Sequence, residues 1–339
     1  MSEDTFIASS PPSPSDITAA AQRLAEVAVH TPLLQFPALD AQIGGTCLIK
    51  PEMLQRTGSF KFRGAYNKIA GLPDSLKQRG VVAFSSGNHA QGVAHAAQRH
   101  KIPAIIVMPS DAPKIKIEST KAYGAEVRLY DRYFEHREAV AAEIMAETGA
   151  TLIKPYDDPD IVAGQGTCGR EIAKQARELG LNPDIVLICC GGGGLTAGTA
   201  IALHDANPST EIYTVEPVGF DDHARSLREG RRVQNPEGPI SLCDALLAPT
   251  PGEFTFAINQ SHLTGGLAVT DTETERAVSY AYRNLKLVVE PGGAVSLAAV
   301  LANKLPLRGR TIVIVLTGGN VDPGLFCRIV NGTALKDNI

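Results

Sequence analysis

Short runs of consecutive apolar residues recur along this chain, and amphipathic stretches separate them. Residues 81–84, 104–108, 126–130, 185–190, 211–215 and 311–316 read as strands, because β-branched and apolar side chains crowd over strand length between turn-forming residues. Between them the pattern predicts helices: one capped by Asp16 and running to about Val27, then others over 89–100, up to Tyr123, over 135–148, and from the glycines after Cys190 to about Asp205. Thr31-Pro32 ends the first, since a residue before proline is pushed out of the helical region. Strands alternating with helices argue for parallel sheets covered by helices, and unbroken apolar runs fit strands buried on both faces. Residues 1–15, rich in Ser and Pro without apolar periodicity, are expected to form a disordered tail. An excursion over 72–157 with three or four strands of its own is expected to be a small domain, inserted into a large one made of 16–71 and 158–339.

Bulk properties narrow the classes. The 339 residues are 44% hydrophobic, enough to bury a sizeable core in one large or two medium domains. A formal net charge of −4 without any basic block argues against nucleic acid as a partner. The six cysteines form no C-x-x-C pair, and Cys189-Cys190 fall in an apolar run, which suits thiols in a reducing compartment. The apolar runs are far shorter than a bilayer needs, and no basic-then-apolar leader opens the chain. A soluble cytoplasmic protein without a membrane partner is the expectation.

Three segments at strand ends carry candidate chemistry. Gly191-Gly192-Gly193-Gly194-Leu195 follows a buried strand and opens a helix, where free N–H groups and the helix dipole suit a phosphate. Gly192, Gly194 and Ala197 also fit the G-x-G-x-x-A dinucleotide fingerprint, with Glu216 downstream for a ribose, so an NAD-dependent dehydrogenase is a competing reading. No G-K-[ST] follows, which excludes a nucleoside-triphosphate loop. Ser85-Ser86-Gly87-Asn88-His89 offers hydroxyls and amides to a carboxylate, against the alternative of an ordinary helix cap. Thr317-Gly318-Gly319-Asn320 follows the last strand and presents a neutral hydroxyl, or forms only a tight turn. A fourth segment, Thr57 to Ala65, sets Lys61 between Phe60 and Phe62 after a turn-type glycine; apolar neighbours favour the neutral amine that a Schiff base requires. A surface lysine on an amphipathic helix is the alternative there.

In order and spacing these motifs, together with Lys50-Pro51-Glu52, residues 163–167, Val215-Glu216-Pro217 and residues 316–322, resemble the pyridoxal-phosphate enzymes of fold type II. The similarity is to their serine/threonine dehydratase and serine racemase branch, which includes 3-hydroxyaspartate dehydratases. The resemblance implies an α/β fold with two domains of three-layer parallel sheets, like the β subunit of tryptophan synthase. It implies Lys61 as the Schiff-base lysine, the loop from Gly191 to Leu195 around the phosphate, Asn88 on the ring hydroxyl and Phe60 beside the ring. Thr317 would face the pyridine nitrogen, where the family more often has serine. Ser86 matches a serine on the cofactor face opposite the lysine, and the loop Ser85, Ser86, Gly87, Asn88, His89 would hold the substrate carboxylate.

The function so implied is β-elimination of a β-hydroxy-α-amino acid (L-serine, L-threonine or 3-hydroxyaspartate) to a 2-oxo acid and ammonia, with a serine or aspartate-type racemase as the alternative. A 3-hydroxyaspartate substrate needs a cation for its second carboxylate. Arg137 is the candidate, with Arg132 and His136 close by, and a solvated charged helix is the competing reading. Tyr156 and Glu290 are expected to border the cofactor. Glu216, the Phe220 carbonyl and Asp222 resemble the divalent-cation site of this branch, suited to Mg²⁺ or Ca²⁺, unless they form a plain acidic loop. The family expectation for assembly is a homodimer.

Overall fold

The computed structural model describes residues 10–85, 87–112, 114–131 and 133–332, apart from the side chain of Ile115. Among the described residues ten strands run β1 (Leu34–Gln35), β2 (Thr46–Pro51), β3 (Val81–Phe84), β4 (Ala104–Pro109), β5 (Glu126–Tyr130), β6 (Thr151–Leu152), β7 (Ile185–Cys189), β8 (Glu211–Pro217), β9 (Gly265–Val269) and β10 (Thr311–Leu316). They form a six-stranded sheet of order β1-β2-β10-β7-β8-β9 and a four-stranded sheet of order β5-β4-β3-β6. Every pairing is parallel except the short β1–β2 contact. The central strands β7 and β10 are buried along nearly their whole length, the condition under which a parallel strand reads as an unbroken apolar run.

Strands β3, β5 and β10 coincide with the sequence expectation; β3 and β10 are unbroken apolar runs, whereas β5 alternates charged and apolar residues. The first helix does not. It spans Pro14–Leu24, and Ser13 caps it by accepting from the Asp16 amide while the Asp16 carboxylate accepts from the Ser13 amide. Asp16 is thus the third helical residue of a capping box, and residues 14 and 15 belong to the helix rather than to a tail. Residues 1–9 of the expected tail lie outside the described residues. Strands β2 and β9 escape the sequence pattern; Lys50 in the first and two glycines in the second obscure their apolar character. Among the described residues no helix is long and apolar enough to cross a membrane.

Two helices position the large sheet against the site. Helix Pro159–Glu178, capped by Asp158, crosses helix Gly194–Ala206 at a distance only glycine allows. A Cβ on Gly198 would lie 2.1 Å from the Val162 carbonyl oxygen and 2.6 Å from the Gly166 amide nitrogen. One on Gly169 would lie 2.6 Å from the Thr199 carbonyl oxygen. These contacts are to backbone, which cannot swing aside. Gly198→Ala should therefore cost about 3 kcal/mol through overpacking, read as a lower denaturant midpoint. Gly71→Ala, where a Cβ meets nothing within 4 Å, should leave the midpoint unchanged or slightly higher.

Candidate active site

The carboxyl ends of β3, β7 and β10 open onto one cavity of about 650 Å³ between the two sheets. A parallel sheet places its binding edge there. Lys61, Asn88, the glycine run and Thr317 all line it, together with Phe60, Ser85, Gly87, His89, Leu195, Arg137, Tyr156 and Glu290. Residues far apart in sequence thus converge, as the family resemblance implies.

Lys61 begins helix Lys61–Gly71. Its amine donates to the Pro155 carbonyl at 2.8 Å and stands 5.2 Å from the centre of the Phe60 ring. Burial without any paired carboxylate pulls its pKa down from 10.5 to about 8. The turn before it is tight: Thr57 and Gly58 both have positive φ, and a Cβ on Gly58 would lie 2.7 Å from Asn320 Oδ1. The segment is tied to the Thr317 loop by the Phe60 amide donating to the Thr317 carbonyl and by the Gly319 amide donating to the Gly58 carbonyl.

Below the lysine lies a charge cluster that is almost fully buried. The Arg63 guanidinium donates to Glu52 at 2.7 and 2.8 Å and to Glu171 at 2.6 and 2.9 Å. Lys50 donates to the same Glu171 at 2.6 Å, to the Thr31 carbonyl and to Gln175. Arg63 and Glu52 are both wholly inaccessible.

The glycine run closes the far end of the cavity. Gly193 adopts φ +92°, and a Cβ there would strike the His223 and Asn259 side chains. The Tyr156 ring packs so closely on Gly192 that a Cβ would fall 2.3 Å from it. Helix Gly194–Ala206 then points its first amides at the cavity, and the buried Thr196 hydroxyl in its first turn has no hydrogen-bond partner among the described residues. Free amides, a helix dipole and an orphaned hydroxyl fit a phosphate. Thr317, 5% exposed, sits at the end of β10.

Asn88 is fixed from two sides. Its Nδ2 donates to Glu290 Oε1 at 2.5 Å, and its Oδ1 accepts from Asn320 Nδ2 at 2.7 Å. Burial, then the charge of Asp244, pushes the Glu290 carboxyl up to about 7. His89 donates from Nε2 to the Ile153 carbonyl at 2.9 Å, since burial, and next the Lys61 charge, hold its pKa near 3 and the ring neutral. It therefore lines the cavity without offering a charge. Arg137 opens helix Arg137–Thr148, stacks 5.1 Å over the Phe84 ring and pairs with Glu138 at 2.8 Å. It lines the cavity while its side chain stays 47% exposed. Ser86 and Arg132 lie outside the described residues.

Glu216 and Asp222 lie away from the cavity lining, beside the His223 ring that abuts the glycine run. Glu216 accepts from the His223 and Ala224 amides at 2.9 and 2.8 Å. Burial, then the Asp222 charge, raises its pKa well above the usual carboxylate range. It cannot reach a ribose, so the dehydrogenase reading loses its acidic residue. Asp222 Oδ1 accepts from Asn235, whereas Asp222 Oδ2 and His223 Nδ1, buried 3.9 Å apart, have no hydrogen-bond partner among the described residues. Phe220 places its amide on the Pro217 carbonyl.

Sequence reasoning missed Lys116, Lys154 and Asp244, which also line the cavity. Nothing local marks them, because each comes from a different surface segment. Asn320 lies in the motif after the last strand, yet its bond to Asn88 is visible only in three dimensions.

The neutral amine is the nucleophile, so its reactivity rises with pH until the pKa is passed. With Lys61 near 8, capture of an added aldehyde by the apo-protein should climb about tenfold per pH unit below 8 and flatten above it. An ordinary lysine would keep climbing to about pH 10. Stopped-flow absorbance separates the two profiles.

Comparison with known proteins agrees with this geometry. A family model described as "Pyridoxal-phosphate dependent enzyme" matches residues 25–318. An L-threo-3-hydroxyaspartate ammonia-lyase of Pseudomonas sp is 41% identical over 317 residues, covering 94% of this chain and 98% of its own length. One of Saccharomyces cerevisiae is 38% identical over 321 residues, with 95% and 97% covered. The crystal structure of a T.th. threonine deaminase superposes with a TM-score of 0.86 at 43% identity, over 92% of this chain and 99% of that one. With this family match over most of its length and these relatives, the chain belongs to the pyridoxal-phosphate-dependent enzymes of fold type II.

Proposed function

We propose that this chain is a hydroxy-amino-acid ammonia-lyase whose preferred substrate is the dicarboxylate 3-hydroxyaspartate, with L-serine and L-threonine as poorer ones. The observation that carries this reading is a cleft with a depressed-pKa lysine on one wall and the cations Lys116, Arg137 and Lys154 around it. Loss of water across the Cα–Cβ bond, then hydrolysis of the resulting imine, gives a 2-oxo acid and ammonia. Pyridoxal phosphate, when bound, supplies the electron sink for this chemistry.

The residues divide the remaining work. Lys61 anchors the cofactor and, as a neutral amine, takes the proton from the substrate Cα. Amides from Gly191 to Leu195 and the Thr196 hydroxyl hold the phosphate. Thr317 would offer the pyridine nitrogen a hydroxyl in place of a carboxylate, a partner that does not favour a charged ring nitrogen and so suits expulsion of a β-hydroxyl over storage of charge at Cα. Asn88, fixed by Glu290 and Asn320, contacts the ring hydroxyl, and Phe60 packs beside the ring. Ser85, Gly87 and the neighbouring amides bind the α-carboxylate, and Arg137 adds positive charge to the cleft in which the second carboxylate binds. Ser86 is assigned the cofactor face opposite the lysine.

Glu216, Asp222 and the Phe220 carbonyl are assigned a hard divalent cation, Mg²⁺ or Ca²⁺, that steadies the glycine run from behind through His223. Two buried carboxylates within 4.8 Å of each other and of His223, one with an unpartnered oxygen, support this assignment. We read the two sheets as two domains divided near residues 72 and 157. A homodimer is supported by the exposed apolar side chains Leu54, Tyr282 and Val288. Six free cysteines, five of them buried, suit the cytoplasm.

The test is 2-oxo acid release by holoenzyme from L-serine, L-threonine and the 3-hydroxyaspartate isomers. Hydroxyaspartate should give the largest kcat/KM, and Lys61→Ala should lower it at least about a hundredfold. Full turnover by Lys61→Ala would sink the assignment. Chelation should reduce activity, and Glu216→Gln should abolish the response to added Mg²⁺; an unchanged response would remove the cation site.

A further inference from the structure

The Lys116 ammonium stands at the lip of the carboxylate loop, 3.5 Å from where a Cβ on Gly87 would be. Its helix, Lys114–Ala122, belongs to the side of the four-stranded sheet. Its partner is Asp244 Oδ2 at 2.5 Å, from the short helical turn Asp244–Leu246, which packs on helix Pro291–Leu301 of the other side. The ion pair therefore bridges the cleft at its mouth. The two partners differ in solvation: the Lys116 side chain is 11% exposed and that of Asp244 is 54%.

We propose that Asp244 is a specificity-determining residue: it holds the place of a substrate carboxylate on Lys116 and yields it only to a ligand that brings a second carboxylate of its own. The inference rests on the reading of the cleft as an amino-acid site and names what sets its preference for charge. A nearly buried ammonium loses much of its hydration and must keep an anionic partner. A half-exposed carboxylate released from it returns to water at little cost. Exchange of one carboxylate for another keeps Lys116 paired. A ligand ending in a hydroxyl, methyl or amide cannot make that exchange and binds with the bridge still closed. Among the described residues the other ion pairs of the cleft do not span it in this way: Arg137 is paired with its own neighbour Glu138, and Arg232 lies 3.8 Å from Glu253. Lys154, exposed and without an ion pair among the described residues, adds positive field without demanding exchange.

L-aspartate and L-asparagine test the proposal. They have the same shape, lack a β-hydroxyl to expel, and differ in distal charge. Calorimetric titration of holoenzyme gives affinities without turnover. In Asp244→Asn the bridge has no resident anion, so aspartate should bind about three- to tenfold more tightly, while asparagine stays within about twofold. Because Asp244 also acts on Glu290, asparagine reports any change transmitted through that residue. Lys116→Met should erase the preference for aspartate, whether or not Asp244 is also replaced. Equal tightening of both ligands in Asp244→Asn, no tightening of aspartate, or a retained preference in Lys116→Met would each overturn the proposal. Turnover is scored separately. If hydroxyaspartate yields no 2-oxo acid while the affinities shift as expected, the substrate assignment falls and the exchange stands. If hydroxyaspartate turns over while the affinities do not shift, the exchange falls alone.

Discussion

A guanidinium with no access to water governs the placement of the reactive lysine. Arg63 sits two residues after Lys61, on the same helix, and is held by two carboxylates from separate elements, Glu52 and Glu171. Such a cluster adds little net stability over a well-packed apolar core, but removing one partner leaves a buried charge uncompensated, at about 3–5 kcal/mol. Its value is therefore geometric. A helix anchored by four hydrogen bonds from one guanidinium to carboxylates cannot rotate. Lys61 is then presented to the cavity at one angle, with its amine in reach of the Pro155 carbonyl.

The same economy of constraint appears around Asn88. Its two amide atoms are both engaged, one by a carboxyl and one by a second amide, so a ring hydroxyl would meet a side chain already oriented. Glu290 can serve there because burial lifts its pKa to about 7, which reduces the negative charge facing the cleft. The wall that would meet the cofactor is thus nearly neutral and rigid. Charged groups that can change partners are gathered at the mouth.

Much of this was legible in the sequence, for physical reasons. Buried parallel strands must be apolar throughout, and a phosphate loop must be glycine-rich, so β3, β10 and Gly191–Gly194 announce themselves. The grouping of Lys61, Asn88 and Thr317 around one cavity was implied by the family resemblance, while strand ends followed by turn residues pointed to the segments of Asn88 and Thr317. What failed to show were features without a local cost. Lys116 and Asp244 look like any surface charges, and their meeting depends on how two sheets face each other. The first helix was misjudged by its cap, since Ser13 and Asp16 both suit an N-terminus and only the backbone decides which is first. Arg137, half exposed and stacked over Phe84, is compatible with either of its two readings.

Helix Pro159–Glu178 touches both ends of the site. One face supplies Glu171 to Arg63, and Gln165 accepts from the Gly64 amide; another face lies against the glycines of the helix that starts at Gly194. It acts as a ruler, setting the span between the amine and the phosphate cradle to suit one cofactor. Lineages sharing this ruler have little room to change cofactor or its seat. They remain free to vary the short segments that carry Lys116, Arg137 and Asp244, which bear on no part of that measurement. Diversity of substrates on a single inherited chemistry is the expected outcome of such a division.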